Sequence, residues 1–471
     1  MPKNEASIRK RFLPDYTNVC LNNYYKAYVI VLFLVNQIIL SSMNQTTTVA
    51  LTQKQSNTKA IFIIGVLFFI FGFVTWLNGT LIPFLKLACQ LKNDIQAFFV
   101  TFSFYMAYFF LAIPSSWILK GTGYKKGMAL GLFIMAVGSI IFIPAAQSRS
   151  FGLFLTGLFI QGTGLALLQT ASNPYISIIG PIESAAKRIS IMGICNKGAG
   201  MISPLILGAI VLKNATPLET QINTTTDIAA KEVLLQELAS RVITPYIIIT
   251  ILLLALAFMI WYSSLPEIDT DKNEDAVSRV SKNKTSVFQF PHLLLGVLCI
   301  FVYVGAEVLA GDAIGIYGRA EGLPLDITRY FTFFTLLAML VGYVAGVLTI
   351  PKIISQQQGL RISAILGIII SVGIFITHGY ASIVLIALLG LANALMWPAI
   401  FPLAIDGLGK FTKIGSALLI MGIAGGATIP LIYPALRVNA HLSNNFSFVI
   451  TILPCYFYIL YYAINGYRKG K

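Results

Sequence analysis

Gln169 and Asn173 lie in one apolar stretch and Asn196 and Lys197 in the next, so four polar side chains fall inside the run Gln161–Pro204. A lysine in hydrocarbon costs at least a few kcal/mol, so its ammonium is expected to face a partner, a wet cavity or a ligand. The competing reading is that Lys197 snorkels from its helix toward the membrane surface. Along a helix that turns by about 100° per residue, Gln161, Gln169, Ser172 and Asn173 share an arc of about 120°. Several amides on one face suit a hydroxyl-rich ligand. Interhelical hydrogen bonding, with Gly157, Gly162 and Gly164 allowing close packing, reads the same stripe as structural.

Two carboxylates in a later stretch are the natural counter-charges: Glu307, and Asp312 about 140° further round the helix. They do not share one small site. Such a carboxyl either exchanges a proton or coordinates sodium together with backbone oxygens, and residue types alone leave both open. Trp76, next to Asn78, and Trp397, before Pro398, place flat aromatic faces near amides, which suits the C–H face of a pyranose; core packing is the alternative. Trp117 and Trp261, near the ends of their segments, read as interfacial anchors.

Catalysis finds no support. His292, His378 and His441 are scattered near segment ends without metal-ligand spacing, and no phosphate-binding glycine loop is present. The five cysteines form neither a zinc pattern nor a disulfide framework. The expectation is a non-enzyme with no metal or cofactor, at most a coupling proton or sodium ion.

These side chains need a scaffold that keeps lipid away. With 471 residues, 57% hydrophobic and 11% charged, the chain has too little polar surface for a soluble globule. The net charge of +15 sits in short loops between apolar runs, a topological bias rather than a nucleic-acid surface. Residues 59–87, 95–118, 127–146, 150–179, 188–212, 243–264, 293–317, 328–350, 360–377, 381–405, 414–437 and 444–465 are each long enough to span as helices. The fold class is therefore an all-α membrane protein of twelve transmembrane helices. Lys and Arg concentrate on the side of the termini, so both termini are expected in the cytoplasm, with the chain in the cytoplasmic (inner) membrane.

The stretch 1–58 reads as a leader whose apolar run Ala27–Leu40 falls short of the roughly 20 residues needed to span. Met43 as the true start, with an upstream artefact before it, is the preferred reading over a signal peptide. The outer loop Lys213–Arg241 carries a short amphipathic helix at Ala229–Val242. The charged stretch 266–290 is a cytoplasmic linker between a first bundle, 59–265, and a second, 291–471.

An internal repeat supports those two halves. Ile191-Met192-Gly193-Ile194 recurs as Ile420-Met421-Gly422-Ile423, each followed by a Pro-Leu-Ile, at Pro204 and Pro430. Gly164-Leu165-Ala166 recurs as Gly390-Leu391-Ala392 at nearly the same offset, which favours duplication. The alignment sets Gly425-Gly426 where the first half has Asn196-Lys197.

Phe73-Val74-Thr75-Trp76-Leu77-Asn78-Gly79-Thr80-Leu81-Ile82-Pro83, Leu168-Gln169-Thr170-Ala171-Ser172-Asn173-Pro174 and Ile400-Phe401-Pro402-Leu403-Ala404-Ile405 with Gly425-Gly426-Ala427 resemble the fucose permease and glucose/galactose transporter family of the major facilitator superfamily. Lys120–Gly127 resembles a degenerate form of the superfamily's basic loop between helices two and three. The resemblance implies two pseudo-symmetric six-helix bundles, alternating access, and a proton- or sodium-coupled sugar importer whose helices one, four, seven and ten line the path. In the proton-coupled fucose permease an aspartate follows Leu-Asn in helix one and a glutamate precedes Thr-Ala in helix four. This chain has Gly79 and Gln169 there. Asn196 fits the family's polar position in helix five, and Lys197 does not match that permease.

The expectation is thus a secondary carrier for a neutral hexose. Gln161, Gln169, Asn173, Asn196 and Asn78 would bind hydroxyls, Trp76 and Trp397 would stack, and Lys197 with Glu307 or Asp312 would handle charge and coupling. Two alternatives stand: an anionic sugar such as a uronate paired with Lys197, or a non-transporting membrane sugar sensor. The expected partners are the small-molecule sugar and the lipid bilayer, with no obligate protein partner.

Overall fold

In hydrocarbon every backbone N–H and C=O must find its partner within the protein, and apolar runs of this length meet that demand as helices. The computed structural model describes residues 50–179, 184–263, 265 and 284–470. The leader through residue 49, with the Met43 start, and most of the linker 266–290 lie outside the described residues. Among those described, eleven helices are long and apolar enough to cross a membrane. One of them, Asp94–Gln147, runs for 54 residues, more than twice a membrane crossing. It breaks at Gly123, whose φ of 74° and ψ of 175° lie in a region open to glycine and strained for other residues. It therefore supplies the second and third spans, and the described residues cross twelve times.

The first span is Ala60–Ala88, the fourth Phe151–Ser177, the fifth Ala185–Val211 and the sixth Ile228–Tyr262. The seventh is Pro291–Asp312, the eighth Leu325–Thr349, the ninth Gln356–Ile376, the tenth Gly379–Ile405, the eleventh Thr412–Asn439 and the twelfth Asn444–Ile464. The sixth includes a separate outer helix, Ile228–Ser240, close to the amphipathic helix expected at 229–242. Asp227 caps it by accepting from the Ala229 N–H at 2.9 Å, and Glu232 pairs with Arg149 at 3.2 Å. A second short helix in the same loop, Ala215–Thr224, carries no apolar run to announce it.

The first and tenth spans are interrupted beside their deep tryptophans. The tenth breaks at Ala394–Leu395, because Pro398 has no N–H for the Ala394 carbonyl and its ring crowds that carbonyl. The first breaks at Trp76–Leu77.

The repeat appears in the packing as well as the letters. A Cβ on Gly72 would lie 1.8 Å from the Asn196 carbonyl oxygen, so the first span touches the fifth backbone to backbone. At the same offset in the second half, a Cβ on Gly425 would lie 1.8 Å from the Phe301 carbonyl oxygen, pressing the eleventh span on the seventh. The same contact is made twice, with the glycine on the opposite partner. Trp117 and Trp261, near the ends of the second and sixth spans, are 63% and 48% exposed.

On the face reached by the ends of the odd-numbered spans, polar contacts join the halves. Asp94 is bound by Lys86 at 2.5 Å and by Arg437 at 3.1 Å, and Glu219 by Arg319 at 2.8 Å. Asp326 accepts from the Thr216 N–H at 3.3 Å, and Arg329 donates to the Leu212 carbonyl.

Because no side chain fits at either contact, Gly72→Val and Gly425→Val should each destabilise the bundle by about 1–3 kcal/mol or more. Thermal unfolding in detergent measures this; a variant melting like the wild type would show that the backbones are not in contact.

Candidate functional site

The interrupted first span and the intact fifth span converge mid-bundle on one polar group. Lys197 extends from the fifth span and its ammonium meets the Glu307 carboxylate of the seventh span at 2.8 Å, across the boundary between the halves. Both are buried, at 6% and 8% exposure, so neither snorkels. A face of Trp76 covers the ammonium, whose nitrogen lies 4.3 Å from the ring centroid, a cation–π contact strengthened by exclusion of water. The Trp76 indole N–H donates to the Asn196 side-chain oxygen at 3.4 Å, and the Asn196 amide donates to the Phe68 carbonyl at 3.3 Å.

These groups border a cavity of about 90 Å³. Spans one, four, seven and ten all line it, and spans two, five, eight and eleven contribute as well. Gln169 and Asn173 face it from the fourth span. The Gln169 amide donates to the Tyr108 hydroxyl at 3.0 Å, while the Asn173 side-chain oxygen is buried without a partner. Trp397 reaches it from the tenth span, packed on Phe401 with ring centroids 5.7 Å apart.

Three residues expected at the site lie outside this lining. Gln161 is 1% exposed and donates to the Ser139 hydroxyl at 2.7 Å, so its amide binds the third span to the fourth. Asn78, beyond the break after Trp76, is buried with neither amide atom partnered. Asp312 is 2% exposed, also without a partner. Trp76 lines the cavity, and the Lys197 ammonium lies over its ring where a sugar was expected to stack.

Sequence reading missed the tyrosines. Tyr105 and Tyr108 of the second span, Tyr303 of the seventh and Tyr343 of the eighth all line the cavity. The available signal was spacing: Tyr303 precedes Glu307 by one helical turn, and Tyr105 precedes Tyr108 by nearly one.

Two repeated helical halves around an internal polar cavity define a membrane carrier, not an enzyme. The chain belongs to the major facilitator superfamily, whose family profile matches residues 64–434. It is similar to the glucose/galactose transporter of Brucella abortus, 34% identical with 89% of this chain and 97% of that protein covered. The putative glucose/galactose transporter of Helicobacter pylori is 31% identical, with 89% and 99% covered. Among solved structures, the fucose:proton symporter FucP of Escherichia coli superposes with a TM-score of 0.70 at 26% identity, covering 87% of this chain and 98% of that one.

Removing one member of a buried pair leaves the other charge uncompensated, a cost of about 3–5 kcal/mol. Lys197→Met and Glu307→Gln should each lower the melting temperature sharply, and the double variant should recover most of the loss. Melting curves of the three proteins decide this; independent, additive losses would mean the two groups do not act as a pair.

Proposed function

We propose that this chain imports a neutral hexose of the glucose or galactose type across the cytoplasmic membrane by alternating access, with both termini in the cytoplasm. The observation that carries this reading is the closed charge balance of the cavity. Lys197 already holds a carboxylate, so an anionic sugar would have to displace Glu307 and leave it buried and unpaired. What remains for a ligand is the set of amides and hydroxyls of Gln169, Asn173, Tyr108 and Tyr343, which match sugar hydroxyls as donors and acceptors, with Trp397 beside them. Relatives named for glucose and galactose transport support the same class. A cavity of about 90 Å³ is below the roughly 300 Å³ of common ligand pockets, so admitting a hexose requires the halves to part. That requirement agrees with a carrier and counts against a rigid sensor.

The test is counterflow of labelled glucose and galactose in proteoliposomes without any ion gradient. Hexose exchange resistant to excess uronate supports the reading; no exchange of either hexose, or competition by uronate, sinks it. Gln169→Leu should weaken half-saturation about tenfold, the loss of one hydrogen bond worth about 1.4 kcal/mol. Gln161→Leu should instead appear as lost thermal stability.

A further inference from the structure

Asp312 closes the seventh span in a setting unsuited to a carboxylate. It is 2% exposed, and neither oxygen has a hydrogen-bond donor. Two hydroxyls of the eighth span that reach this end of the helix bond its backbone instead: Thr332 donates to the Gly311 carbonyl at 2.8 Å and Thr335 to the Ala310 carbonyl at 3.2 Å. Trp76 packs its six-membered ring against the Gly311 backbone, excluding water from that side. The charged groups that act on it electrostatically are Lys197 and Glu307, and its own charge acts on Tyr105 of the second span.

The cluster therefore holds two carboxylates and one ammonium. With all three ionised it carries a net charge of minus one in a dry bundle, which is costly by several kcal/mol. One proton makes it neutral. Glu307 keeps the ammonium at 2.8 Å, which leaves the proton to Asp312.

We propose that Asp312 is the proton-binding site of the transport cycle, with Lys197 and Glu307 as its fixed counter-charge pair. When the face at the ends of the odd-numbered spans opens, water reaches Asp312 and its carboxylate takes a proton to become a neutral acid. In that form it can be enclosed. When the cavity opens toward the opposite face, the O–H bond breaks, the proton passes to water, and the cluster returns to a net charge of minus one. The inference rests on the hexose-carrier reading.

The experiment separates the two. Proteoliposomes are assayed for gradient-free hexose counterflow and, separately, for accumulation driven by an inside-alkaline pH gradient or by an inward sodium gradient. The wild type should concentrate hexose on the pH gradient, and more strongly as the outside is acidified. Asp312→Asn, a fixed mimic of the neutral acid, should still exchange hexose but accumulate it no further than equilibration. Asp312→Glu should restore accumulation with a displaced pH profile, and it decides the matter if the asparagine variant does not fold. Accumulation by Asp312→Asn, an unshifted profile for Asp312→Glu, or a wild type driven by sodium alone would overturn the proton site. Absence of wild-type counterflow would overturn the hexose reading instead.

Discussion

An ammonium and a carboxylate held 2.8 Å apart in a bundle that excludes water set the terms for the surrounding helices. Lys197 belongs to the first half and Glu307 to the second, so the pair is a bond between the bodies that a carrier must move against each other. Breaking it in a dry interior leaves two uncompensated charges. The contacts at the rim differ in kind. Asp94 with Lys86 and Arg437, and Glu219 with Arg319, are partly exposed and are worth about 0–1 kcal/mol each in water. A strong tie at the centre and weak ties at one face suit a rocking motion that pivots near Lys197 while the rim opens and closes.

That motion requires each half to stay rigid, and the glycine contacts supply the rigidity. Gly72 on the Asn196 backbone and Gly425 on the Phe301 backbone lock the first span to the fifth and the eleventh to the seventh. The fifth and seventh spans carry the charge pair, so each charged side chain is mounted on a helix held backbone to backbone by a neighbour from its own half. Without that support, small helix shifts would loosen the ion pair before the halves moved.

Spans, repeat and polar centre were legible because apolar length, punctuation by Pro and Gly, and the cost of a buried lysine are all properties of the linear chain. The errors trace to depth and direction. Gln161 and Gln169 share a helical face, but eight residues apart they differ by about 12 Å along the axis. Only Gln169 sits at cavity level. Asn78 follows Trp76 by two residues in the sequence, but a helix break at Trp76–Leu77 separates them. The tyrosines escaped notice because an intramembrane Tyr reads as packing or interface until its hydroxyl partner is known. The Asp94–Arg437 contact joins groups at opposite ends of the chain, and no local pattern announces such a pair.

The repeat also explains why, among the described residues, the Lys197–Glu307 pair has no charged symmetric counterpart. Glu307 follows Phe301 by the same number of residues as Asn78 follows Gly72, and Gly426 occupies the position equivalent to Lys197. The pseudo-symmetric counterpart of the Lys197–Glu307 pair is thus Gly426 opposite Asn78. A Cβ at Gly426 would lie 3.1 Å from the Tyr105 ring and from the Val308 side chain, so a larger residue there would have to displace them. Duplication provides a symmetric scaffold, and a departure confined to one of its two equivalent crossings places the ammonium off the symmetry axis. Asp312, on the same helix as Glu307, then has this one cation to share, and that shortage is what makes a proton useful there.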